Sequence, residues 1–501
     1  MFGRGLLYVS AAAAQMVSSA VVSPVLAHGM GDPAEFGKLA SAIALHQLLV
    51  VVAAAGLDQA VVLQRAEDGH ERNAGAAAGA GIVLATAVTL LLAVTARWWA
   101  GPMGFEEPSA LLTATIVWTV PAVAVMVLLG LLLGGDRLRP FAVISLVAAL
   151  GGQLLGLVLL FGLRPLAASY LWGVVAADAL AAAIALVLTR RAWFRMPRPV
   201  VVRRSLALGL PLLLGSLSTF VLNAGDRIVI QRVAGAAEVG RYQVAYTLGG
   251  VVVQLVVMLG SSWLPRFAEV REEAQRWRLI GHSRDGLYLL LAPVVLGLTL
   301  AAPVLLRIFA PESFGRETLL VVVLMVLVSA YPVAASGASG RMLLTARRAR
   351  PIGVIALVAA VVNIGLNFLL VPLAGIAGAA AATVLALMVQ AVLQRLAVVT
   401  GGHGSPWPRS SIVLLVLSTA VVLVAWLSTF LPQSALFNGA RFALGLVCLP
   451  WLWFYWRRVV RSGSAAPPPR GAVVDASRAR HRSVRPSRRS LRRDPSRRDP
   501  C

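Results

Sequence analysis

Residues 350–360 read RPIGVIALVAA, and they repeat the segment RPFAVISLVAA at residues 139–149 with identity at eight of eleven positions. A second pair of similar segments is AEFGKLASA at 34–42 and AEVGRYQVA at 237–245. The two pairs occur in the same order, at offsets of 211 and 203 residues. The sequence therefore predicts an internal duplication, in which the second half of the protein repeats the fold of the first half.

The composition is typical of a membrane protein. Apolar residues make up 58% of the chain and charged residues 13%, whereas charged residues are about a quarter of an ordinary soluble domain. Fourteen apolar runs are long enough to cross about 30 Å of hydrocarbon as helices, and we number them as spans one to fourteen. They lie near residues 6–27, 38–63, 74–98, 109–133, 140–162, 166–189, 205–231, 238–264, 285–308, 318–344, 352–371, 374–399, 411–430 and 437–456. We predict an all-α integral membrane fold.

The duplication divides these spans into two lobes of six helices. We predict an N-lobe at 1–195, a C-lobe at 196–400, two additional transmembrane helices at 401–458 and a disordered, Arg-rich cytoplasmic tail at 459–501. Because each copy has an even number of spans, both copies enter the membrane in the same orientation and are related by a parallel pseudo-two-fold axis. Parallel repeats of this kind are typical of two-lobed transporters, whose ligand site lies between the repeats.

The net charge of +24 marks one side of the membrane. Arginines are concentrated between spans six and seven, between spans eight and nine, and after span ten. The positive-inside rule therefore predicts that the N- and C-termini lie in the cytoplasm, and the charge does not indicate nucleic acid as a partner. Residues 457–501 have fourteen Arg and three Asp, and this tail either binds anionic lipids or an acidic partner or, as we favour, is a solvated topology anchor.

Span one is similar to a secretory signal, because Arg4 and an apolar run precede Val25-Leu26-Ala27. We favour an uncleaved helix, since its removal would leave halves of five and six spans.

Motifs of catalysis are missing from the sequence. It contains no HExxH, paired CxxC, GxSxG or P-loop motif, and no loop large enough for a catalytic domain. We predict that the protein is not an enzyme, that it needs no cofactor or metal, and that ion gradients, membrane potential or substrate concentration drive its transport.

Two segments resemble a known family. These are NAGDRIVIQRVAGAAEVGRYQVAY at 223–246 and NIGLNFLLVPLAGIAGAAAAT at 363–383. They resemble the polysaccharide and oligosaccharide-lipid flippases of the multidrug/oligosaccharidyl-lipid/polysaccharide superfamily. The resemblance implies two helical bundles facing a central cavity in the bacterial plasma membrane, and a polyprenyl-diphosphate-linked glycan as substrate. Membrane lipids are implied partners, and a glycan polymerase or glycosyltransferases are further candidates.

Charged residues inside the membrane are the first candidates for a site, because each costs about 2.5–3.5 kcal/mol at the centre of a membrane helix unless it faces water or a partner. Arg227 in span seven can present its planar fork to a diphosphate. Its neighbour Asp226 lies roughly 100° away around the helix, so the two side chains are expected to diverge. Asp226 either holds a coupling proton or cation, or pairs with an arginine on another helix.

Arg341 is the second cationic candidate, and it follows the small-residue run 334–340 in span ten. The alternative is that it snorkels to the cytoplasmic interface near Arg347. Asp178 and Asp58 either bind a coupling ion or form buried ion pairs, and for Asp58 we favour the ion pair.

Polar residues without charge complete the candidates. Gln254 and His46 either bond sugar hydroxyls or, as we favour, hold helices together. Asn363 and Asn367 lie one turn apart on one helix face, where amides can bond a neighbouring helix; Asn367 is also a candidate for substrate binding.

The sequence therefore predicts a flippase or exporter of lipid-linked oligosaccharide or polysaccharide that works by alternating access. The alternatives are a drug or cation antiporter of the same superfamily, a glycan polymerase or ligase, and a non-transporting scaffold for cell-envelope synthesis. A polymerase or ligase is disfavoured because no large outward loop is present. The glycan and the coupling ion stay open.

Overall fold

The structure, a computed structural model, consists of helices joined by short turns, with no strands in the part of the chain that it describes. That part is residues 18–68, 71–106, 108–135, 137–193, 199–263, 267, 269–400 and 434–454, with positions 416, 419, 420, 423, 426, 427 and 457. Eleven helices within it are long and apolar enough to cross a membrane. One of them contains two predicted spans, so spans two to twelve and span fourteen are all represented. The predicted all-α membrane fold is confirmed, while most of spans one and thirteen and the Arg-rich tail lie outside the described residues.

The helices follow the predicted spans closely. Span two is Pro33–Ala54, continued by Leu57–Asp68; span three is Glu71–Val94; span four is Ala110–Gly134; span five is Leu138–Leu146 and Gly152–Gly162; span six is Ala167–Trp193; span seven is Pro199–Phe220 and Asp226–Ala234; span eight is Ala236–Ser262; span nine is Glu273–Phe309; span ten is Arg316–Thr345; spans eleven and twelve form Ala349–Val398; and span fourteen begins with Ala435–Leu446.

Several spans are interrupted by a break in the α-helix or by a π-helical turn. Span two breaks at Ala55 and Gly56, which both have positive φ, and spans eleven and twelve are separated by a kink at Gly375 with φ 57°. Spans five and seven each contain a π-helical turn, at Val147–Gly151 and Val221–Gly225. Because π-turns inside helices are frequent at functional sites, the turn in span seven directs attention to the residues that follow it.

The two halves of the duplication meet along span two. Within the first half, span four packs against spans two, three and six, and within the second half span ten packs against spans eight, nine, eleven and twelve. Span two packs against span eight, and its continuation packs against the start of span seven. Span fourteen packs on span nine. The lobe boundaries at 195–196 and 400–401 stay predictions.

The duplicated segments 34–42 and 237–245 touch each other where spans two and eight cross. A methyl group built on Gly37 would lie 1.7 Å from the carbonyl oxygen of Ala236, and one built on Gly240 would lie 2.0 Å from the carbonyl oxygen of Pro33. Both separations are far inside van der Waals contact, so only glycine lets the two backbones approach this closely. We call this contact the outer crossing, after its predicted side of the membrane.

Each duplicated segment also contains an equivalent ion pair. Lys38 pairs with Glu35 three residues before it, and Arg241 pairs with Glu238 three residues before it. The repeat in the sequence is therefore matched by a repeat of contacts around the outer crossing.

Side chains of the two halves also meet beside the outer crossing. Ser41 in span two donates to Gln231 Oε1 in span seven at 2.9 Å, and Gln231 Nε2 donates to the carbonyl oxygen of Gly104 at 3.1 Å. The ring of Phe36 meets the ring of Phe314 edge-on, with 5.9 Å between centroids. These contacts hold the predicted outer ends of the halves together.

A second glycine contact joins the halves at the other end of span two. A methyl group on Gly56 would lie 2.2 Å from the carbonyl oxygen of Gly209, and one on Gly209 would lie 2.5 Å from the carbonyl oxygen of Ala55. Gly37 and Gly56 are separated by roughly 28 Å at 1.5 Å per residue, about the thickness of the hydrocarbon core. Span two thus touches the second half on both sides of the membrane, and we call this second contact the inner crossing.

The substitution Gly37→Leu should force the outer crossing apart. Overpacking of a contact this close costs at least about 1–3 kcal/mol. A cysteine introduced at the buried position of Ser41, beside the crossing, should therefore become accessible about tenfold more often. The measurement is the labelling rate of Ser41→Cys by a membrane-impermeant maleimide, with the native cysteines replaced by serine.

The matched control is Gly365→Leu, because a methyl group on this exposed helical glycine meets no atom within 4 Å. It should leave the labelling rate unchanged. Equal rates for the Gly37→Leu and Gly365→Leu proteins would show that the outer crossing does not control access to Ser41.

Candidate functional site

The first predicted site, Asp226 and Arg227, is a buried ion pair. Arg227 Nη1 lies 2.7 Å from Asp226 Oδ1, and the two side chains are 6% and 1% exposed. Tyr242 of span eight donates its hydroxyl hydrogen to Asp226 Oδ2. The expectation that the adjacent side chains diverge was wrong, because the long, flexible arginine side chain folds back along the helix onto its neighbour. The expected arginine on another helix is replaced by one on the same helix.

Arg227 is also held by groups around its guanidinium. Its Nε donates to Gln243 Oε1 of span eight at 3.1 Å, and its Nη1 donates to the carbonyl oxygen of Asn223 at 2.6 Å. The charge lies over the ring of Tyr246, 4.0 Å from the centroid, where a cation–π interaction is favourable. These contacts join spans seven and eight, so the geometry of Arg227 is that of a structural ion pair, and substrate binding by Arg227 stays a prediction.

Arg341, the second cationic candidate, lies between spans eight and ten with two nitrogens unpaired. A methyl group on Gly260 of span eight would lie 2.4 Å from Arg341 Nη1, so the guanidinium packs directly on the glycine backbone. Its Nε and Nη2 are buried and have no hydrogen-bond partner among the described residues. Because arginine stays charged in proteins and a buried unpaired charge is strongly unfavourable, this geometry suits an anionic ligand.

A buried amide lies next to Gly340, the residue before Arg341. Gln394 of span twelve is 3% exposed, and its Oε1 has no partner in the described part of the chain. This oxygen lies 3.7 Å from the position of a methyl group on Gly340, the residue before Arg341. The small residues of 334–340 therefore let span ten approach both span eight and span twelve. We call Gly260, Gly340, Arg341 and Gln394 the Arg341 site; the sequence pattern missed Gln394, which was visible only as an isolated amide in an apolar run.

The two uncharged candidates lie in different environments. Gln254 is exposed on span eight. Asn367 is fully buried, and its Nδ2 donates to the carbonyl oxygen of Asn363 at 2.9 Å. Asn363 in turn donates to Thr383 at 3.4 Å, so the two asparagines link spans eleven and twelve. The structure does not bring Gln254 and Asn367 together, and their binding of substrate stays a prediction.

A buried polar stack crosses the first half. Trp118 of span four donates its Nε1 hydrogen to Asp178 of span six, and its ring stacks on the imidazole of His46 of span two, with 3.5 Å between centroids. The Nδ1 of His46 is buried and has no partner within the described ranges. No described Lys or Arg forms an ion pair with Asp178, so this carboxyl group stays a candidate for ion coupling. Trp118 was missed because a tryptophan in an apolar helix is ordinary core.

Asp58 has a different setting. It lies half-buried in the first turn of Leu57–Asp68, where the helix dipole favours a carboxylate. Its role as a coupling or ion-pair residue stays a prediction.

Comparison with known proteins gives both a family and a fold. A family model described as polysaccharide biosynthesis protein matches residues 4–271, slightly more than half of the chain. The structure is similar to that of lipid II flippase MurJ in an inward closed conformation, with a TM-score of 0.68 and 14% identity over 91% of this chain and 100% of that chain. Among curated proteins, none matches the sequence.

Two more distant structures have lower scores. An inward-facing multidrug resistance transporter of the MATE family has a TM-score of 0.47 and 14% identity over 84% of this chain and 95% of that chain. A transporter of the MOP superfamily from Pyrococcus furiosus has a TM-score of 0.49 and 13% identity over the same shares. At 14% identity, the match to MurJ shows a shared fold.

Removal of one partner should reveal the structural role of the Asp226–Arg227 pair. Arg227→Gln should lower the free energy of unfolding in detergent by about 3–5 kcal/mol, because the Asp226 carboxylate is left buried without its counterion. The double variant Asp226→Asn with Arg227→Gln should recover part of that loss. Denaturant titrations of the purified variants measure both effects.

Arg232→Gln is the control, since Arg232 is exposed on the same helix; it should change the free energy of unfolding by less than about 1 kcal/mol. An Arg227→Gln protein as stable as the wild type that no longer moves glycan would contradict the structural role and return Arg227 to substrate binding.

Proposed function

Because the chain belongs to the family of polysaccharide biosynthesis proteins, we propose that it is a flippase for polyprenyl-diphosphate-linked oligosaccharide or polysaccharide that works by alternating access. The shared fold with a protein named a lipid II flippase supports this proposal. So does the duplicated helical architecture, in which two halves meet along one helix. We place the protein in the bacterial plasma membrane with both termini in the cytoplasm, as the arginine distribution predicts.

The task of such a flippase is to move polar groups through hydrocarbon. A diphosphate and its sugars lose hydration worth several kcal/mol per polar group when they leave water, and more for each charge. A protein path must replace that water with donors of its own. The polyprenyl tail needs no such path, because it is already soluble in the membrane.

The single observation that carries the proposal is the unpaired guanidinium of Arg341. Its flat fork can donate two parallel hydrogen bonds to phosphate oxygens, which is the strongest form of this contact. Arg341 lies four residues before the end of span ten at Thr345, or roughly 6 Å along the helix. That end is predicted to face the cytoplasm, so Arg341 is placed to receive the diphosphate from the inner leaflet.

The two glycine crossings supply the alternation. Separation of Gly56 from Gly209 would open the inner end for loading, while the outer crossing at Gly37 and Gly240 keeps the outer end closed. Separation of the outer crossing, with the inner one closed, would release the glycan on the other side. Span two takes part in both contacts, so we propose that its movement relative to the second half is the transport motion.

Asp178 is the proposed coupling group. It is buried, it has the indole of Trp118 as a donor, and it forms no ion pair with a described cation. A proton or a small cation bound there would stabilise one arrangement of spans two, four and six. The same observation favours the second candidate function, a cation-coupled antiporter for drugs, although the Arg341 site suits an anionic substrate better than a cationic drug.

Arg341→Gln should reduce translocation of a fluorescent polyprenyl-diphosphate-linked disaccharide in reconstituted vesicles by about tenfold to a hundredfold. This is the loss expected when a charge-assisted hydrogen bond worth about 1.5–3 kcal/mol is removed. The measurement is the fraction of fluorescent glycan on the outer leaflet over time.

Arg350→Gln is the matched control, because Arg350 is exposed a few residues beyond the same helix end; it should leave translocation unchanged. Wild-type rates in well-folded Arg341→Gln would contradict the assignment of Arg341. If the wild-type protein moves a cationic dye in exchange for protons and leaves the glycan in place, the antiporter replaces the flippase.

A further inference from the structure

Span fourteen contains a buried arginine away from the crossings and the Arg341 site. Arg441 is 5% exposed, and its Nε and Nη1 have no hydrogen-bond partner among the residues that the structure describes. Its Nη2 donates to the carbonyl oxygen of Thr299 in span nine at 3.5 Å, and its guanidinium lies 5.8 Å from the centroid of the Phe437 ring. A permanently charged guanidinium in this position is unfavourable inside a membrane unless an anion approaches it.

Two further polar groups beside Arg441 are unpaired. Asn438, three residues earlier on the same helix face, is 3% exposed, and its Oδ1 has no partner in the described ranges. Thr299 is fully buried, and its Oγ1 is likewise without a partner there. Three buried side chains, joined by the contact between Arg441 and Thr299, therefore carry four unpaired polar atoms on spans nine and fourteen. We call Thr299, Asn438 and Arg441 the span-fourteen cluster.

The two helices that carry this cluster are in backbone contact next to it. A methyl group on Gly445 would lie 2.9 Å from the carbonyl oxygen of Gly297, and the side chain of Cys448 packs beside Gly297. The helices cannot slide together to pair the polar atoms, because their backbones already touch. The cluster is thus a fixed feature of the interface between spans nine and fourteen.

Snorkelling to water does not explain Arg441. Side chains on a helix tilt towards its N-terminus, which for this helix is Ala435, about 9 Å away and on the predicted outer side. An arginine at this depth has a route to the outer surface, yet its guanidinium turns to Thr299 and stays buried. Burial of a charge that keeps two unpaired nitrogens indicates a ligand site.

We propose that the span-fourteen cluster binds the phosphate group of a membrane lipid in the predicted outer leaflet. The guanidinium supplies charge and paired donors, Thr299 supplies a hydroxyl, and the Asn438 amide supplies a further donor or acceptor, a set that fits phosphate oxygens. A ligand that enters between spans nine and fourteen from the surrounding bilayer would have to be amphiphilic. The site goes beyond the proposed function, since any lipid phosphate satisfies this chemistry.

The experiment is a titration of the purified full-length protein with phosphatidylglycerol, followed by native mass spectrometry. A second titration uses a polyprenyl diphosphate, and diacylglycerol is the phosphate-free control lipid. Arg441→Gln should weaken phosphatidylglycerol binding about tenfold or more, as expected for loss of a charge-assisted hydrogen bond. Arg307→Gln is the matched control, because Arg307 is exposed on span nine near its predicted outer end, and it should bind as the wild type does.

The outcomes separate the two possible sources of the phosphate. Arg441-dependent binding of phosphatidylglycerol identifies a phospholipid headgroup, whereas Arg441-dependent binding of the polyprenyl diphosphate alone identifies the substrate lipid. Equal binding of phosphatidylglycerol and diacylglycerol, or lipid binding that is unchanged in Arg441→Gln, overturns the proposal.

A second, nearly isosteric variant, Thr299→Val, keeps the proposal testable if Arg441→Gln does not fold. Thr299→Val keeps the charge and removes only the hydroxyl, so it should weaken binding by a smaller factor than Arg441→Gln. If Arg441→Gln does not fold, unchanged lipid binding by Thr299→Val overturns the proposal. No transport is measured, so failure of this site and failure of the proposed flippase function are distinguishable.

Discussion

The close approach of span two to the second half at two glycine pairs is the constraint on which the rest of the structure depends. At both crossings, a Cβ atom added to a glycine of one helix would lie 1.7–2.5 Å from a carbonyl oxygen of the other helix, too close for any residue but glycine. Contacts of this kind are held by packing of backbone on backbone and can separate without leaving a buried charge unpaired. Since the crossings lie roughly a membrane thickness apart along span two, tilting of span two relative to the second half would open one end while the other stays closed.

Arg227, Arg341 and Arg441 fall into two groups, and the difference between them supports the roles proposed for them. Arg227 is surrounded by a carboxylate, an amide, a carbonyl and an aromatic ring. Together these groups offset the free-energy cost of removing its charge from water. Arg341 and Arg441 retain buried nitrogens with no partner in the described part of the chain. The pairing of Arg227 holds helices together, whereas the unpaired nitrogens of Arg341 and Arg441 suit an anion from outside the chain, and these two residues lie at opposite predicted sides of the membrane.

Much of the fold could be predicted, because repeated segments indicate the duplication and the lengths of apolar runs indicate the positions of the spans. The segments 34–42 and 237–245 were recognised as equivalent, but their contact depends on packing across some two hundred residues and leaves no local signal. The helical wheel describes only the direction in which Asp226 and Arg227 leave the backbone, about 100° apart, and the long arginine side chain still reaches back to its neighbour. Gln394 and Trp118 were missed because single amides and aromatic rings in apolar helices are usually core residues.

The central claim, that the halves separate at one end of span two at a time, is tested most directly by a distance measured across the predicted outer end. Spin labels at Glu106→Cys and Glu312→Cys, two exposed positions on different halves, report that distance by pulsed electron resonance in lipid nanodiscs. We predict a short and a long population whose proportions change when a polyprenyl-diphosphate-linked disaccharide is added. A single distance that is identical with and without the glycan would contradict the account.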